Sequence, residues 1–566
     1  MVTTERGFSV SYQNRFLYSK YAPDRAIEGA VSSLQILPNT LILAFSPVLW
    51  LGLDSLIKKL PENCFVLGVE LDKNLHEFAQ SELEKKKSAQ HKVFRLSQGT
   101  DGALKQDDSM FSRVSLLPFE LNGYEDKCAD ETILPHISNF RRAIPLEMSA
   151  GTQFYKDGYL KTAVLAQNAI ASFWKNRITL TKMGRLYSRN LFKNLSNLLK
   201  YSDIKVLAHM IENPIFVFGA GESIEESFKN IPQCKIEKCF IIAVDAAVAA
   251  LTAHKIRIDA VVAVEGQLTI EKAYIGGGAK NSLLIADMVS REQVTRHAKN
   301  VLYFASKYTD ATFFKNLSRQ HYFPHLVPPL GSVGLTAVYL ALLLRANVSV
   351  PVFVSGLDFS FSLGRTHAKN TPAHLSRLFS SGRFNPVENY SAAFKNGAKK
   401  ITGKNGTEIY TDTILEAYAK SFADAFSNTQ NLYDAGKQGI PLNIQEISGE
   451  KASAYLDTRE EKIAELKATV TEKFPDSARN DIVAFLQTEE KALNRIKELL
   501  MFGNDVASCS CSLDDELHSL IAPREYLFLH FPDGYKCGTN DLSFLKRVRS
   551  QIDFFLKDIK NCLSQV

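Results

Sequence analysis

Ile215-Phe-Val-Phe-Gly219-Ala-Gly221-Glu222-Ser223-Ile-Glu225-Glu226-Ser227 is the stretch that decides how this chain folds. Four apolar residues in a row read as a strand buried on both faces, and two glycines then break it. Ser223 and Glu226 have the spacing of a capping box, so a helix is expected to begin there. A strand that passes through glycines into a helix start opens a βαβ unit. Amides exposed there by residues without Cβ atoms suit a phosphate, although a tight turn without any ligand has the same sequence. Two familiar nucleotide signatures are incomplete: the third glycine of G-x-G-x-x-G falls on Ile224, and no Gly-Lys-Ser/Thr follows. Glu222, Glu225 and Glu226 crowd the first turn, which admits a dianion only if they point away.

The same rhythm continues outward. Phe240–Val244 ends in Asp245, residues 260–264 end in Glu265, and residues 282–286, 301–304 and Val352–Ser355 are further strand candidates between helical patterns. The alternation predicts an α/β fold with a mainly parallel sheet covered by helices. Asp245 and Glu265 then stand at the carboxyl edge, where open α/β folds bind ligands. Each acid serves equally as an acceptor for sugar hydroxyls or as a helix cap. A second turn, Pro328-Pro-Leu-Gly331-Ser332-Val-Gly334-Leu, opens an apolar helix at 335–344. The strand after it ends in Ser355-Gly356-Leu-Asp358, with His367 downstream and Thr411-Asp412-Thr413 starting another helix.

Near the amino terminus, residues 41–45 and 64–69 read as strands around a helical pattern at 48–60, the second ending in Glu70. That is a Rossmann-like half whose loop lacks the glycines a pyrophosphate needs, so a structural role is expected. Residues 163–174 and 183–199 are helical, and Lys175, Arg177, Lys182, Arg185, Arg189 and Lys193 face solvent or an acidic partner. Beyond 449 the strands stop, and charged amphipathic spacing at 460–472, 482–500 and 542–563 predicts a helical bundle. The expected division is an N-terminal Rossmann-like domain at 1–155, a helical connector at 156–210, a central α/β domain at 211–448 and a helical C-terminal domain at 449–566.

The 566 residues leave room for about three to five domains, and 45% hydrophobic content suffices for packed cores. With 67 basic and 61 acidic residues the excess is +6, which demands no nucleic-acid stripe. Glu5 and Arg6 interrupt any secretory apolar run, and the longest apolar stretch, 338–344, is far short of the roughly 20 residues of a membrane helix. Eight scattered cysteines fit reduced thiols and a cytoplasmic location. Cys509, Cys511 and Cys537 are a metal candidate that lacks a second ligand pair at finger spacing.

The order GAGES, then VDAAVAAL and RIDAVVAVEGQ, then PPLGSVGLTAVYLALLL and VFVSGLDFSFSLGRTHA resembles the motility accessory factor (Maf) family of flagellin glycosyltransferases. The likeness spans residues 40–445 and is strongest at 211–370. The shared core is also similar to archaeal 6-hydroxymethylpterin diphosphokinases, and the GSVG and SGLDF segments to bacterial sialyltransferases. The resemblance implies a sialyltransferase-like central domain that moves a nonulosonic acid, pseudaminic or legionaminic, from a CMP-sugar to Ser or Thr of flagellin during flagellum assembly. It also implies a CMP-sugar donor with no tightly bound cofactor; because that donor has one phosphate rather than two, a metal is less necessary and no metal-binding residue is expected. Gly219, Gly221 and Ser223 match the family's first turn, facing the nucleotide; Gly331 and Ser332 match the second; Ser355, Gly356 and Asp358 match the strand-end motif beside CMP. The family's first turn commonly has Pro-Ser where this chain has Glu222-Ser223, and many relatives carry Asp at the position of Glu265.

Chemistry narrows the roles independently. Transfer from a CMP-sugar needs a base for the acceptor hydroxyl and stabilisation of a leaving phosphate. His367, Asp358 and Glu265 are the candidate bases, and His367 has the fitting intrinsic pKa. Helix N-termini supply the second need, Asp245 completes the nucleotide-sugar set, and no Asp-x-Asp motif occurs. Two alternatives stand beside this reading. A pterin or nucleotide diphosphokinase would hold magnesium-ATP on Asp245, Glu265 and Asp358; a non-catalytic assembly factor would hold flagellin with the helical tail. CMP, magnesium-ATP and protein binding alone tell the three apart.

Overall fold

In the amino-terminal unit, Met1–Thr179, the first apolar runs become a parallel sheet of Thr40–Phe45 (β1), Phe65–Val69 (β2), Val114–Leu116 (β3) and Arg142–Glu147 (β4). Its order is β3-β2-β1-β4, with Leu53–Lys59 (α1) and Lys73–Ser97 (α2) as crossovers. Side chains fill the carboxyl edge after β1. Glu70 is fully buried, accepting from Ser46 Oγ at 2.7 Å and from the Tyr159 hydroxyl at 2.9 Å. A Cβ on Gly151 would lie 2.2 Å from Ser46 Oγ, so the two turns at this edge pack without a gap.

The expected connector is a single 40-residue helix, Lys156–Leu195 (α3), rather than two shorter ones. Tyr159, Ala163, Ala166 and Ile170 pack in the first unit's core, whereas Leu180, Leu191, Phe192 and Leu195 belong to the core of the second unit, Leu180–Val566. The computed structural model describes residues 1–97, 110–119, 134–456, 476–502, 511–532 and 537–565. The expected helix at 460–472, together with Cys128 and Cys509, lies outside them.

The second unit is built on a sheet of ten parallel strands. Ile215–Phe218 (β5), Phe240–Val244 (β6), Ala260–Ala263 (β7), Leu283–Asp287 (β8), Asn300–Ser306 (β9) and Leu326–Val327 (β10) spread outward in one direction. The chain then returns through Val333–Leu344 (α7, after Ser223–Asn230 (α4), Val248–Ala253 (α5) and Thr312–Ser318 (α6)) and inserts Val352–Ser355 (β11) on the other side of β5. Every residue of β5, β6, β7, β8 and β11 is buried, as expected where helices cover both faces. The crossover α7 is apolar all round and correspondingly sunk, with eight of its twelve residues buried.

After β11 come Pro372–Phe379 (α8), the antiparallel hairpin Ala398–Thr402 (β12) and Glu408–Asp412 (β13), and Thr413–Phe426 (α9). Leu432–Asp434 (β14) and Gln445–Glu446 (β15) finish the sheet beyond β11, and Ser202–Asp203 pairs with β9. Sheet order is β10-β9-β8-β7-β6-β5-β11-β14-β15. None of β10, β14, β15 and the hairpin was expected, because two- and three-residue strands and polar hairpins carry little periodic signal.

The expected division is redrawn at the carboxyl end as well. Gly449–Leu456 (α10), Asp476–Phe502 (α11), Cys511–Ile521 (α12) and Leu542–Gln565 (α13) share one continuous hydrophobic core with the ten-stranded sheet, so they are a layer of the second unit. Phe192 of α3 meets Tyr526 and Phe555 edge-on, with ring centroids 5.0 and 5.7 Å away. Arg189 holds Asp558 with two nitrogens, at 2.6 and 3.2 Å, and Arg185 and Arg189 both lie over Phe554. Arg189 and Lys193 therefore find their acidic partner, Asp558, in the chain's own last helix.

Candidate functional site

β5 has β6 on one side and β11 on the other, so the connections leaving β5 and β11 run across the sheet in opposite directions. Such a reversal parts the loops beyond the strand ends and leaves a crevice at the carboxyl edge. A cleft of about 700 Å³ occupies that place. Its walls come from the turn after β5 (Gly219–Gly221), the turn after β6 (Val244 and Ala246), the N-terminus of α7 (Ser332–Gly334) and the segment after β11 (Gly356–Phe361). Thr366 and His367 continue the rim; Asn389, Ser391, Lys395, Asp412 and Tyr418 form the far wall.

The floor is a bolt between two turns. A Cβ on Gly219 would come 2.2 Å from the Gly356 carbonyl oxygen, and one on Gly221 would come 2.5 Å from Asp358 Oδ2. Only glycine permits this approach. The Gly221 amide donates to the Gly356 carbonyl at 2.9 Å, and the Ser223 amide donates to Asp358 Oδ2 at 3.0 Å. Ser223 Oγ donates to Asp358 Oδ1 and accepts from the Gly356 amide at 2.8 Å. The Asp358 carboxylate thus takes the Ser223 amide that the sequence offered to a phosphate. Helix α4 does begin at Ser223, but through these bonds and without the capping box, since Ser223 makes no cap to its own helix. Burial pushes the Asp358 carboxyl up to about 6 against the opposing pull of Ser223 and Lys404. With both oxygens turned to Ser223, Asp358 fixes the floor and is removed from the candidate bases.

Ser355 is also corrected: it is buried, and its hydroxyl meets Ser227 Oγ of α4 at 2.8 Å instead of opening on the cleft. Glu265 is absent from the cleft wall and accepts from the Gln267 amide at 3.0 Å, capping its own turn. Asp245 lies just beneath the wall, buried between Val244 and Ala246, and accepts from the Ala246 amide at 2.6 Å. Its Oδ2 has no hydrogen-bond partner, and burial pushes its pKa up to about 7.

Ser332 and His367 do meet in the cleft, together with Gly219, Gly221 and Gly356. Ser332 caps α7 by accepting from the Gly334 amide at 3.3 Å, so the positive end of a twelve-residue helix opens on the space. Gly331 adopts the left-handed φ of +77° that turns the chain into this helix. His367 stands opposite on the segment 362–369, which the supposedly obstructive acids hold in place. Glu222 accepts from the Ser362 amide at 3.1 Å, Glu225 accepts from the Lys369 amide at 2.8 Å, and Arg365 lies 3.6 and 3.7 Å from the two. His367 Nδ1 is 3.1 Å from Thr366 Oγ1. Although the residue is exposed overall, the walls around its ring remove enough water to lower its pKa, leaving the imidazole neutral near pH 7.

Sequence reasoning missed the far wall. Lys395 Nζ donates to Asp412 Oδ2 at 2.6 Å, and Asp412 Oδ1 caps α9 by accepting from Ile414 and Leu415 amides at 2.9 Å each. Burial works to raise the Asp412 pKa, but Lys395 and the amides outweigh it and lower it. Thr411-Asp412-Thr413 announced the helix; nothing local announced Lys395 or Tyr418 as cleft residues. Among the described residues no three His, Cys, Asp or Glu side chains gather as a metal site. Among them too, no helix is long and apolar enough to cross a membrane.

Residues 189–364, which carry β5 to β11 and the first half of this cleft, match the family described as 6-hydroxymethylpterin diphosphokinase MptE-like. An uncharacterized protein of Treponema pallidum (strain Nichols) is 31% identical over 576 residues, covering 98% of this chain and 94% of that protein, so the two belong to one family. The structure of the Maf glycosyltransferase from Magnetospirillum magneticum AMB-1 shares the fold over 100% of this chain and 90% of its own, with a TM-score of 0.54 at 14% identity. The chain has the fold of a Maf glycosyltransferase. The Maf-like fold therefore takes in the amino-terminal unit, the ten-stranded sheet and the final helices together. Within it, the cleft lies on the MptE-like portion and is closed by the segment after residue 364.

Proposed function

We propose that the chain is a glycosyltransferase that moves a nonulosonic acid, of the pseudaminic or legionaminic type, from its CMP-activated form to a Ser or Thr hydroxyl of flagellin. The observation that carries this is the cleft itself, with a helix N-terminus and Lys395 on one side and a neutral, low-pKa histidine on another. The acceptor oxygen attacks the anomeric carbon of the sugar, and the bond from that carbon to the phosphate oxygen breaks. The electron pair leaves with CMP, whose phosphate meets the α7 N-terminus and Lys395. When His367 Nδ1 donates to Thr366 Oγ1, Nε2 carries the lone pair that takes the hydroxyl proton. Asp358, Ser223 and the glycines hold the geometry without touching the reacting atoms.

Incubation of the protein with CMP-nonulosonic acid and flagellin, followed by intact-mass measurement, tests the reading. One sugar increment per modified hydroxyl is expected, and His367→Ala should lower the rate about 10²-fold or more. An unchanged flagellin mass with verified substrates would overturn it.

The family description also supports a second reading, a pterin or nucleotide diphosphokinase. That reaction would need carboxylates for magnesium-ATP, and the three in question are apart in role: Asp358 is bolted to Ser223, Asp245 is buried and Glu265 caps a turn. Magnesium-dependent AMP release from ATP with a pterin alcohol would favour this second reading.

A further inference from the structure

Beyond β11 the chain builds a plate that rims the cleft. Arg377 of α8 donates to the carbonyls of Pro386, Val387 and Glu388, at 2.8, 2.8 and 2.9 Å. Gly364 bridges to Asn389, and Gly382 and Asn385 close the tip with reciprocal backbone bonds. The backbone of this plate is thus well tied, yet helix α8 buries none of its residues. Phe379 is 84% exposed, Phe384 93% and Phe394 78%, and Leu363, Leu378 and Tyr390 of the same segment are exposed as well. An apolar set of this size on water is uncommon unless something covers it. Lys369, Arg377 and Arg383 rise from the same plate, and Glu388 is its one acid. The plate runs directly into the cleft wall at Asn389, Ser391 and Lys395.

We propose that this plate docks the acceptor polypeptide, taking an apolar stretch that carries at least one carboxylate near the hydroxyl entering the cleft. The proposal rests on the transferase reading for the identity of that acceptor. Charge and position select the occupant. Arg365 is paired with Glu222 and Glu225, and Lys395 with Asp412, so the three other cations fall short of the cluster of about 4–8 that an anionic membrane calls for. A second copy of the chain, meeting this one across a two-fold axis, would set like charges against each other. A polypeptide with acidic residues meets both the rings and the cations, and continuity with the wall leads its hydroxyl toward His367.

The test uses the full-length chain with two surface variants, Phe379→Ser/Phe384→Ser/Phe394→Ser and Arg383→Glu. Binding of monomeric flagellin is measured at low and high salt, and CMP release from the CMP-sugar is measured without acceptor. Wild-type protein is expected to bind flagellin, each variant at least tenfold more weakly, with acceptor-free CMP release within twofold of wild type. Binding of flagellin by both variants with wild-type affinity would overturn the proposal, as would no binding by the wild type. A triple variant that instead loses self-association or attachment to anionic vesicles would overturn it in favour of those occupants. Absence of CMP release from the wild type would count against the transferase reading alone, because the binding arm decides the docking surface by itself.

Discussion

Removing the Ser223 hydroxyl withdraws a donor from Asp358 and an acceptor from the Gly356 amide in a single step. Both orphaned groups are buried, so Ser223→Ala should cost about 1–3 kcal/mol, read as a lower denaturation midpoint at unchanged slope. Asp245 makes the complementary case. Its folded pKa of about 7 lies above the ordinary carboxylate value, so the native state keeps a proton that the unfolded chain releases near pH 4. Its contribution to stability is complete below that unfolded value and is lost as pH rises through 7. Asp245→Asn should therefore raise Tm at pH 8 by roughly 2 °C, with the gain shrinking as pH falls toward 4. An equal gain at both pH values would show that ionisation is not the cause. At this scale the sequence located the right residue types but misassigned several: Ser223 and Asp358 looked like ligand contacts and prove to contact each other. Reciprocal pairing across the gap between residues 223 and 358 leaves no local trace.

Elements were far more legible than single roles. β5, β6 and β11 fall where their apolar runs end, and β7, β8 and β9 within a residue or two, because a strand buried on both faces has to be apolar throughout. The far wall of the cleft was illegible for the opposite reason: its helix and hairpin are half-solvated and polar, so periodicity is weak. The strand-to-helix turns have their own test. Gly219→Ala drives a methyl group against a backbone carbonyl that cannot rotate away, and should cost about 3 kcal/mol and weaken CMP binding at least tenfold by calorimetric titration. Gly29 lies in the helix Arg25–Ser33 with open space where a Cβ would go, so Gly29→Ala should be neutral or slightly stabilising. Similar losses for both variants would mean that the close approach at the floor is unimportant.

Across the whole molecule, the sheet and the last helices rise or fall together. Phe555 is fully buried against Phe192 and Tyr526, and Phe555→Ala should cost about 3–5 kcal/mol. Hydrogen exchange should then quicken in Ile241–Ala243 of β6 as well as in α13; faster exchange confined to α13 would mean that the tail is a separate domain after all. The tail's amphipathic spacing was readable, but its destination was not, since a helix face does not name what it packs against.

Ile215 finds its first neighbour, Phe240, one crossover later, but its second, Val352, only after five other strands have intervened. A chain growing out of the ribosome therefore carries one apolar edge of its central strand without a partner through much of synthesis. The crevice acquires its second flank with Val352–Ser355 and its outer wall with Asp412 and Tyr418, later still. Competence to hold a substrate arrives late in translation. A nascent chain halted before residue 352 displays a wholly apolar strand with one edge unpaired, and a crevice still without its second flank.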